Sequence, residues 1–242
     1  MIGGDTPELI EIYNRIGRGA FQLTLDGIQV AGRTLDDIQS LLDYGCGYGR
    51  VTRVFAQNLS PKNISVFDVD ADASRFCAEE FGVKSLVFHE GWNWKSVGFE
   101  KYDCIWVGSV FTHLSESYTK ETMELLISLL NPGGILVFTT HGEEALRRTD
   151  WPDWFGATIY NKRKQIQTNF KENNFYFLPY SSEELGILPF EFKRGADFGV
   201  TWMSESYTRN LLARLSNGRL MVREFRSAGW EGYQDAFFCQ YS

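Results

Sequence analysis

Cysteine, histidine and positive charge are scarce in this chain, and each scarcity removes a class of explanation. The four cysteines, Cys46, Cys77, Cys104 and Cys239, form no CxxC pair among 242 residues, and no cysteine–histidine spacing suggests zinc or another metal. They read as reduced, mostly buried thiols of a cytoplasmic protein, not as a disulfide framework. No apolar run approaches the ~18 residues of a membrane span. The opening MIGGDTPELI lacks the basic start and apolar stretch of a signal peptide. Only 24 Lys and Arg stand against 31 Asp and Glu, a formal net charge of −7. That balance argues against general binding of nucleic acid or of an anionic membrane, and leaves small-molecule or local protein recognition. Repeats and low-complexity tracts are also missing. What is present is a 43% hydrophobic composition, enough to pack one sizeable domain.

The organising stretch is Leu41 to Arg50, LLDYGCGYGR. Two apolar residues lead into an acid, and Gly45, Gly47 and Gly49 follow at alternate positions. Val51 to Leu59 then reads as a helix. A strand, a glycine-rich turn and a helix in that order build a ligand cradle. Glycine lets the backbone come close to a ligand, and the helix start offers unpaired N–H groups.

Along the rest of the chain, Thr6-Pro7 reads as an N-cap and first helical residue. Leu9, Ile12, Tyr13 and Ile16 share one helical face, and Phe21, Leu23, Leu25 and Ile28 extend the segment, which is expected to cover a sheet edge. Strands are expected at 40–44, 64–69, 85–88, 104–108 and 135–140. Helices lie between them: one capped by Asp72 or Ser74 and stopped by Gly82, another over 115–130 broken by Asn131-Pro132-Gly133-Gly134. This alternation predicts an α/β layered fold with a parallel sheet. The rhythm stops after His141. Residues 143–200 are rich in aromatics and read as a loop-rich segment or small subdomain. Ser204 caps a helix to Leu215, and 220–225 with 236–240 form a closing antiparallel hairpin.

Ligands of parallel sheets bind outside the carboxyl ends of the strands. The glycine loop follows strand one, and Asp70, at the end of strand two, is placed to hold both hydroxyls of a ribose. Trp92 and Asn93 follow strand three, where they could meet a base. Ser109 to His113 follows strand four and His141 follows strand five, so polar residues are expected along one rim. The glycine pattern is GxGxG preceded by Asp43, not the dinucleotide GxGxxG. A carboxylate there repels a pyrophosphate and suits an ammonium group, which points to S-adenosylmethionine.

At these residues the chain resembles the class I S-adenosylmethionine-dependent methyltransferases. LLDYGCGYGR is similar to their first motif and VFDVDAD, 66–72, to their second-strand motif, which assigns the ribose to Asp70 in preference to Asp68. YDCIWVGSVFTHL, 102–114, and LLNPGGILVFTTHG, 129–142, resemble the fourth- and fifth-strand passages, and WEGYQDAFFC, 230–239, the last hairpin. The resemblance implies a three-layer Rossmann-like fold. Its seven-stranded, mostly parallel sheet has the order 3-2-1-4-5-7-6, with the last strand antiparallel. The chain departs from the family after strand three, where an acid often meets the adenine and Trp92 and Asn93 stand here.

The expected layout is a single domain. It comprises an N-terminal helical segment (1–35), a cofactor core (36–142), a substrate-cap insertion (143–200) and a C-terminal helix and hairpin (201–242). Cofactor candidates are Asp43, Gly45, Cys46, Gly47, Gly49, Val69, Asp70, Trp92, Asn93, Ser109 and Phe111, with Cys46 serving as a small residue in a crowded loop. His113 and His141 are candidate general bases; the competing reading is that His113 only packs and bonds backbone. Glu143 and Glu144 are alternatives for the base, or surface. Lys162-Arg163-Lys164 reads as a solvated face in preference to an anion site. Tyr233-Gln234-Asp235 serves either hairpin packing or substrate contact. The activity read from this is methyl transfer to an oxygen or nitrogen of a small-molecule acceptor. The rivals are a noncatalytic cofactor-binding or scaffold protein and, disfavoured by Asp43, a nicotinamide-dependent oxidoreductase.

Overall fold

A computed structural model describes residues 6–86, 100–186 and 195–242. Seven strands form one sheet in the order β3-β2-β1-β4-β5-β9-β8. These are β1 (Leu41–Tyr44), β2 (Ile64–Phe67), β3 (Lys84–Ser85), β4 (Tyr102–Val107), β5 (Leu130–His141), β8 (Leu220–Trp230) and β9 (Gln234–Tyr241). Counting only these seven, the order is the expected 3-2-1-4-5-7-6. The two remaining strands, β6 (Phe175–Pro179) and β7 (Gly199–Met203), form a separate antiparallel pair. The chain clusters into two compact units. The first comprises Met1–Gly108, Leu129–Val137 and Phe238–Ser242, and the second Ser109–Ser128 and Phe138–Phe237.

In the first unit, β1 pairs in parallel with β2 and with β4, Leu41 lying opposite Ile64 on one side and Cys104 on the other. All four residues of β1 and of β2 are buried, as expected of parallel strands covered on both faces. The strand start is fastened by Asp103, whose carboxylate accepts from Gln39 N, Ser40 N and Asn131 Nδ2 at 2.9–3.1 Å. Helix α1 (Pro7–Val30) opens on Thr6, whose Oγ1 accepts from Leu9 N, with Pro7 at the first helical position. It does not cover a sheet edge. A Cβ on Gly27 would lie 2.5 Å from Val137 and 3.2 Å from Phe238, so the helix crosses the face of the interior strands β5 and β9. Helices α2 (Thr52–Asn58) and α3 (Ala71–Phe81) follow β1 and β2, and Gly82 ends α3 in the left-handed region. The third strand covers Lys84–Ser85 among the described residues, and residues 87 and 88 of the expected 85–88 lie outside them. The fifth begins earlier. Its pairing with β4 starts where Tyr102 N donates to Leu129 O (2.8 Å), ahead of the Asn131–Gly134 turn that was expected to precede it.

The second unit holds α4 (Glu116–Ser128), α5 (Glu143–Arg147), α6 (Ala157–Asn173), α7 (Ser182–Gly186) and α8 (Glu205–Leu215). Residues 143–200 are therefore not loop-rich, and β7 runs across the expected boundary at 200. The 17-residue α6 buries only Ile159, Ile166 and Phe170, a stripe too thin to stand out among its polar residues. That stripe joins Leu146, Leu178, Val200 and Trp202 in a core of its own. Lys162 and Lys164 are exposed, and Arg163 lies 4.0 Å over the Tyr160 ring, as a solvated face would have it. Gly142 abuts Asp235 while Phe138 stacks on Phe237 at 4.9 Å, so β9 runs antiparallel to β5. Among the described residues no helix is long and apolar enough to cross a membrane.

Candidate functional site

The glycine turn leaves β1 at Tyr44. Gly45 N and Cys46 N both donate to Phe67 O, at 2.7 and 3.0 Å, tying the turn to the end of β2. Gly49 has φ +80°, and a Cβ there would lie 2.3 Å from the Phe81 ring, so only glycine fits. Gly47, at φ +49°, has nothing within 4 Å of where a side chain would begin; the turn is open on that side. Cys46 is 5% exposed, and hydrogen bonding with Cys77 and burial push its thiol well above the usual range. It packs; it does not react.

Three acids meet this turn. Asp43 is 1% exposed, and its Oδ2 accepts from Thr52 Oγ1 at 2.7 Å. Burial raises its pKa from the ordinary 3.8 to about 7, with the Asp68 charge adding to the shift. Asp68 is half-buried, and Gly47 N donates to its Oδ2 (2.8 Å) and Asp70 N to its Oδ1 (3.0 Å). Asp70 is 8% exposed and engaged through both oxygens: Oδ1 caps α3 by accepting from Asp72 N (3.0 Å), and Oδ2 accepts from Tyr48 Oη (3.2 Å). Val69, between the two acids, is 45% exposed. The first unit thus brings together Asp43, Gly45, Cys46, Gly47, Gly49, Val69 and Asp70. Asp68, Thr52 and Tyr48 join them, and of these only Asp68 carried a signal, inside the VFDVDAD stretch. Trp92 and Asn93 lie outside the described residues.

In the second unit Ser109, after β4, takes φ +60°, a conformation that costs a non-glycine residue about 1 kcal/mol or more. A network holds it there. Ser109 N donates to Thr139 Oγ1 (2.9 Å), Thr139 Oγ1 to Gln234 Oε1 (2.7 Å), and Gln234 Nε2 to Ser109 Oγ (3.1 Å). Phe111 is fully buried, edge-on to Phe138 at 5.5 Å. Its ring packs in the core of the second unit.

Ser109, His113 and His141 line a cavity of ≈ 340 Å³ together with Asp153, three aromatic residues (Trp154, Phe155, Tyr233) completing its wall. His113 Nδ1 lies 3.2 Å from Gly199 O and 2.7 Å from Tyr180 Oη. His141 is 4% exposed, with its ring 5.3 Å from Phe155 and 5.8 Å from Tyr233. Burial lowers the pKa of both histidines, that of His141 to about 3, so both are neutral near pH 7. Glu144 is paired with Arg147 and Arg148, which removes it as a base. Of the hairpin trio, Tyr233 lines the cavity, Gln234 braces Ser109, and Asp235 accepts from Ala228 N (2.8 Å) within the hairpin. Of the wall aromatics, Tyr233 stood in the hairpin trio read for packing or substrate contact, whereas Trp154 and Phe155 were signalled only by the abundance of aromatics in 143–200.

A family model described as a methyltransferase domain matches residues 16–178. By sequence, no protein of curated function matches the chain. Solved structures share its fold. An S-adenosylmethionine-dependent methyltransferase from Clostridium acetobutylicum ATCC 824 superposes with TM-score 0.58 at 11% identity, over 97% of this chain and 98% of that one. Magnesium protoporphyrin IX methyltransferase from Synechocystis PCC 6803, with bound S-adenosylhomocysteine, gives 0.56 at 12% identity, over 99% and 90%. The N-methyltransferase NodS from Bradyrhizobium japonicum WM9, in complex with S-adenosylhomocysteine, gives 0.52 at 14% identity, over 98% and 89%.

Proposed function

The chain belongs to the methyltransferase domain family, and we propose that it moves a methyl group from S-adenosylmethionine to an oxygen or nitrogen of a small-molecule acceptor. The observation that carries this reading is the acid-rimmed glycine turn. Two strand ends, β1 and β2, supply Asp43 and Asp68 to one open turn, and Gly47 N donates to Asp68. A pyrophosphate would be repelled there, whereas a ribose diol and an ammonium group need such acceptors.

The residues fit that cofactor in kind. Asp68, half-buried beside the open Gly47, would accept from the ribose hydroxyls. Asp43 would answer the ammonium, and exposed Val69 offers an apolar face to the adenine. Asp70 holds the frame by capping α3 and fixing Tyr48. When bound, the cofactor supplies an activated methyl on a sulfonium, so the protein need only align the acceptor, exclude water and provide for a proton. The cavity of the second unit would take the acceptor, with neutral His141 or His113 receiving the hydrogen bond of the attacking group. Ser109, held in its strained conformation by Thr139 and Gln234, would keep its hydroxyl at a fixed place in that wall.

Incubating the protein with methyl-labelled S-adenosylmethionine and a small-molecule extract tests this. The expected result is protein-dependent transfer of label into the small-molecule fraction. Label confined to unreacted donor, despite tight binding of the donor, would favour a noncatalytic binding protein instead.

A further inference from the structure

One buried amide sets part of the wall of the cavity in the second unit, and its orientation says which acceptors the cavity takes, an inference that rests on the methyltransferase reading above. Gln234 is 2% exposed and bonded to Thr139, Ser109 and Tyr233. Thr139 decides which way the amide faces. Its Oγ1 accepts from Ser109 N (2.9 Å), and the residue is fully buried, so among the described residues only Gln234, 2.7 Å away, takes its proton. The amide oxygen therefore faces Thr139. The amide nitrogen faces the other two, donating one N–H to Ser109 Oγ (3.1 Å) and the other to Tyr233 Oη (3.2 Å). The lengths agree, the shortest of the three being the one with a hydroxyl donor.

Each hydroxyl of this network has one proton to place. Thr139 gives its proton to Gln234. Thr112 gives its own to Ser109 O (2.6 Å), so in the 3.1 Å contact between the Thr112 and Ser109 hydroxyls Ser109 is the donor. Tyr233 is left over. Its oxygen accepts from Gln234, and no acceptor among the described residues takes its proton. Tyr233 is half-buried and lines the cavity beside Ser109. A guest that displaces water there has to supply an oxygen for that proton or leave it unpaired. Charge says which oxygen. The one carboxylate among the described residues lining the cavity is Asp153, and no lysine or arginine stands with it. The guanidinium of nearby Arg148 is bound to Glu144 and to Gly232 O, and lies over the Trp154 and Tyr233 rings at 4.3 and 5.3 Å. An incoming carboxylate or phosphate would meet Asp153 without a cation to answer it. A carbonyl oxygen accepts without a charge and brings no competing proton.

We propose that Tyr233 is the specificity-determining donor of this cavity, held in that sense by Gln234, and that the acceptor is a neutral molecule whose carbonyl oxygen takes the Tyr233 proton. Three probes of one shape test it on the whole protein by ligand-detected NMR titration, with and without S-adenosylhomocysteine: acetophenone, α-methylstyrene (a methylene in place of the oxygen) and benzoate. Their ring suits the Trp154, Phe155 and Tyr233 wall. The expected order has acetophenone tightest, with α-methylstyrene about tenfold weaker because it leaves the phenol proton unpaired, and benzoate weaker still. Tyr233→Phe is expected to remove the preference for the ketone over the hydrocarbon. Gln234→Glu is expected to remove it too, although the Tyr233 hydroxyl is still present, because a carboxylate only accepts and draws the phenol proton to itself. A purely structural role for Gln234 would weaken all three probes alike. Should either variant fail to fold, the wild-type series decides alone. Equal or tighter binding of α-methylstyrene or benzoate, a ketone preference that survives Tyr233→Phe, or no binding of any probe overturns the proposal. If the probes fail while S-adenosylhomocysteine binds, the carbonyl class falls and the methyltransferase reading stands. Selective ketone binding without any S-adenosylhomocysteine binding would do the reverse.

Discussion

Asp68→Ala is expected to cost about two orders of magnitude in affinity for S-adenosylhomocysteine, while Asp70→Ala leaves that affinity within a few-fold. The two acids stand two residues apart, and both the spacing from the glycine turn and the resemblance of VFDVDAD to the second-strand motif point to Asp70. We propose Asp68 instead, because it is the more open of the two. Asp70 is 8% exposed, one oxygen capping α3 and the other taking the Tyr48 hydroxyl. Asp68, which follows β2, is half-buried and so more open than Asp70, and it accepts backbone N–H groups of Gly47, Asp70 and Val69. Each charge-assisted bond to a ribose hydroxyl is worth about 1.5–3 kcal/mol, and two of them make the expected loss. Asp70→Ala should instead lower stability by about 1 kcal/mol through the lost cap. Calorimetric titration and thermal melts of both variants decide this. A large affinity loss for Asp70→Ala with little for Asp68→Ala would return the ribose to Asp70.

Asp43→Asn is expected to stabilise the folded protein at alkaline pH and to weaken cofactor binding tenfold or more. Burial raises the Asp43 pKa from 3.8 to about 7. The folded state therefore keeps a proton that the unfolded chain has released. Its stabilising contribution is complete below about pH 4 and is lost as pH rises through about 7. Asparagine removes that drain while it can still accept from Thr52. The advantage of the variant over the wild type should thus grow with pH across this window, by up to about 1.4 kcal/mol per unit. Urea denaturation at several pH values measures it. A constant difference between the two proteins would mean that Asp43 is not titrating there. A stable Asp43→Asn protein with unchanged S-adenosylhomocysteine affinity would remove the ammonium from this acid. A gain in stability at the expense of affinity is what a carboxylate kept buried for a ligand should show.

Residues 41–82 were legible because their signals are local. An apolar run ends in Asp43, alternate glycines turn the chain, and Gly82 stops α3, although its cap is Asp70 and not the expected Asp72 or Ser74. The sheet order followed from a resemblance carried by several such segments. Residues 143–200 were not legible, because their order is long-range. β6 becomes a strand by pairing Phe175 with Met203 and Pro179 with Gly199, 20 to 28 residues away, and α6 shows only three buried residues in five turns. Helix α1 was read in the right place and against the wrong surface, since nothing local says that Gly27 admits a sheet face. The histidines divide in the same way. Their positions after β4 and β5 were visible in the sequence, but their partners were not: Gly199 O and the Tyr180 hydroxyl for His113, the Phe155 and Tyr233 rings for His141. Phe111, expected as a cofactor contact by its place after β4, is buried edge-on to Phe138, a packing partner that nothing local in the sequence names.

Side-by-side titration of the unmodified protein with S-adenosylhomocysteine and with NAD is the most direct check on the glycine turn. Saturable one-to-one binding of S-adenosylhomocysteine with no response to NAD is the result that Asp43, Asp68 and the open Gly47 predict. Binding of NAD without S-adenosylhomocysteine, or of neither, would contradict it.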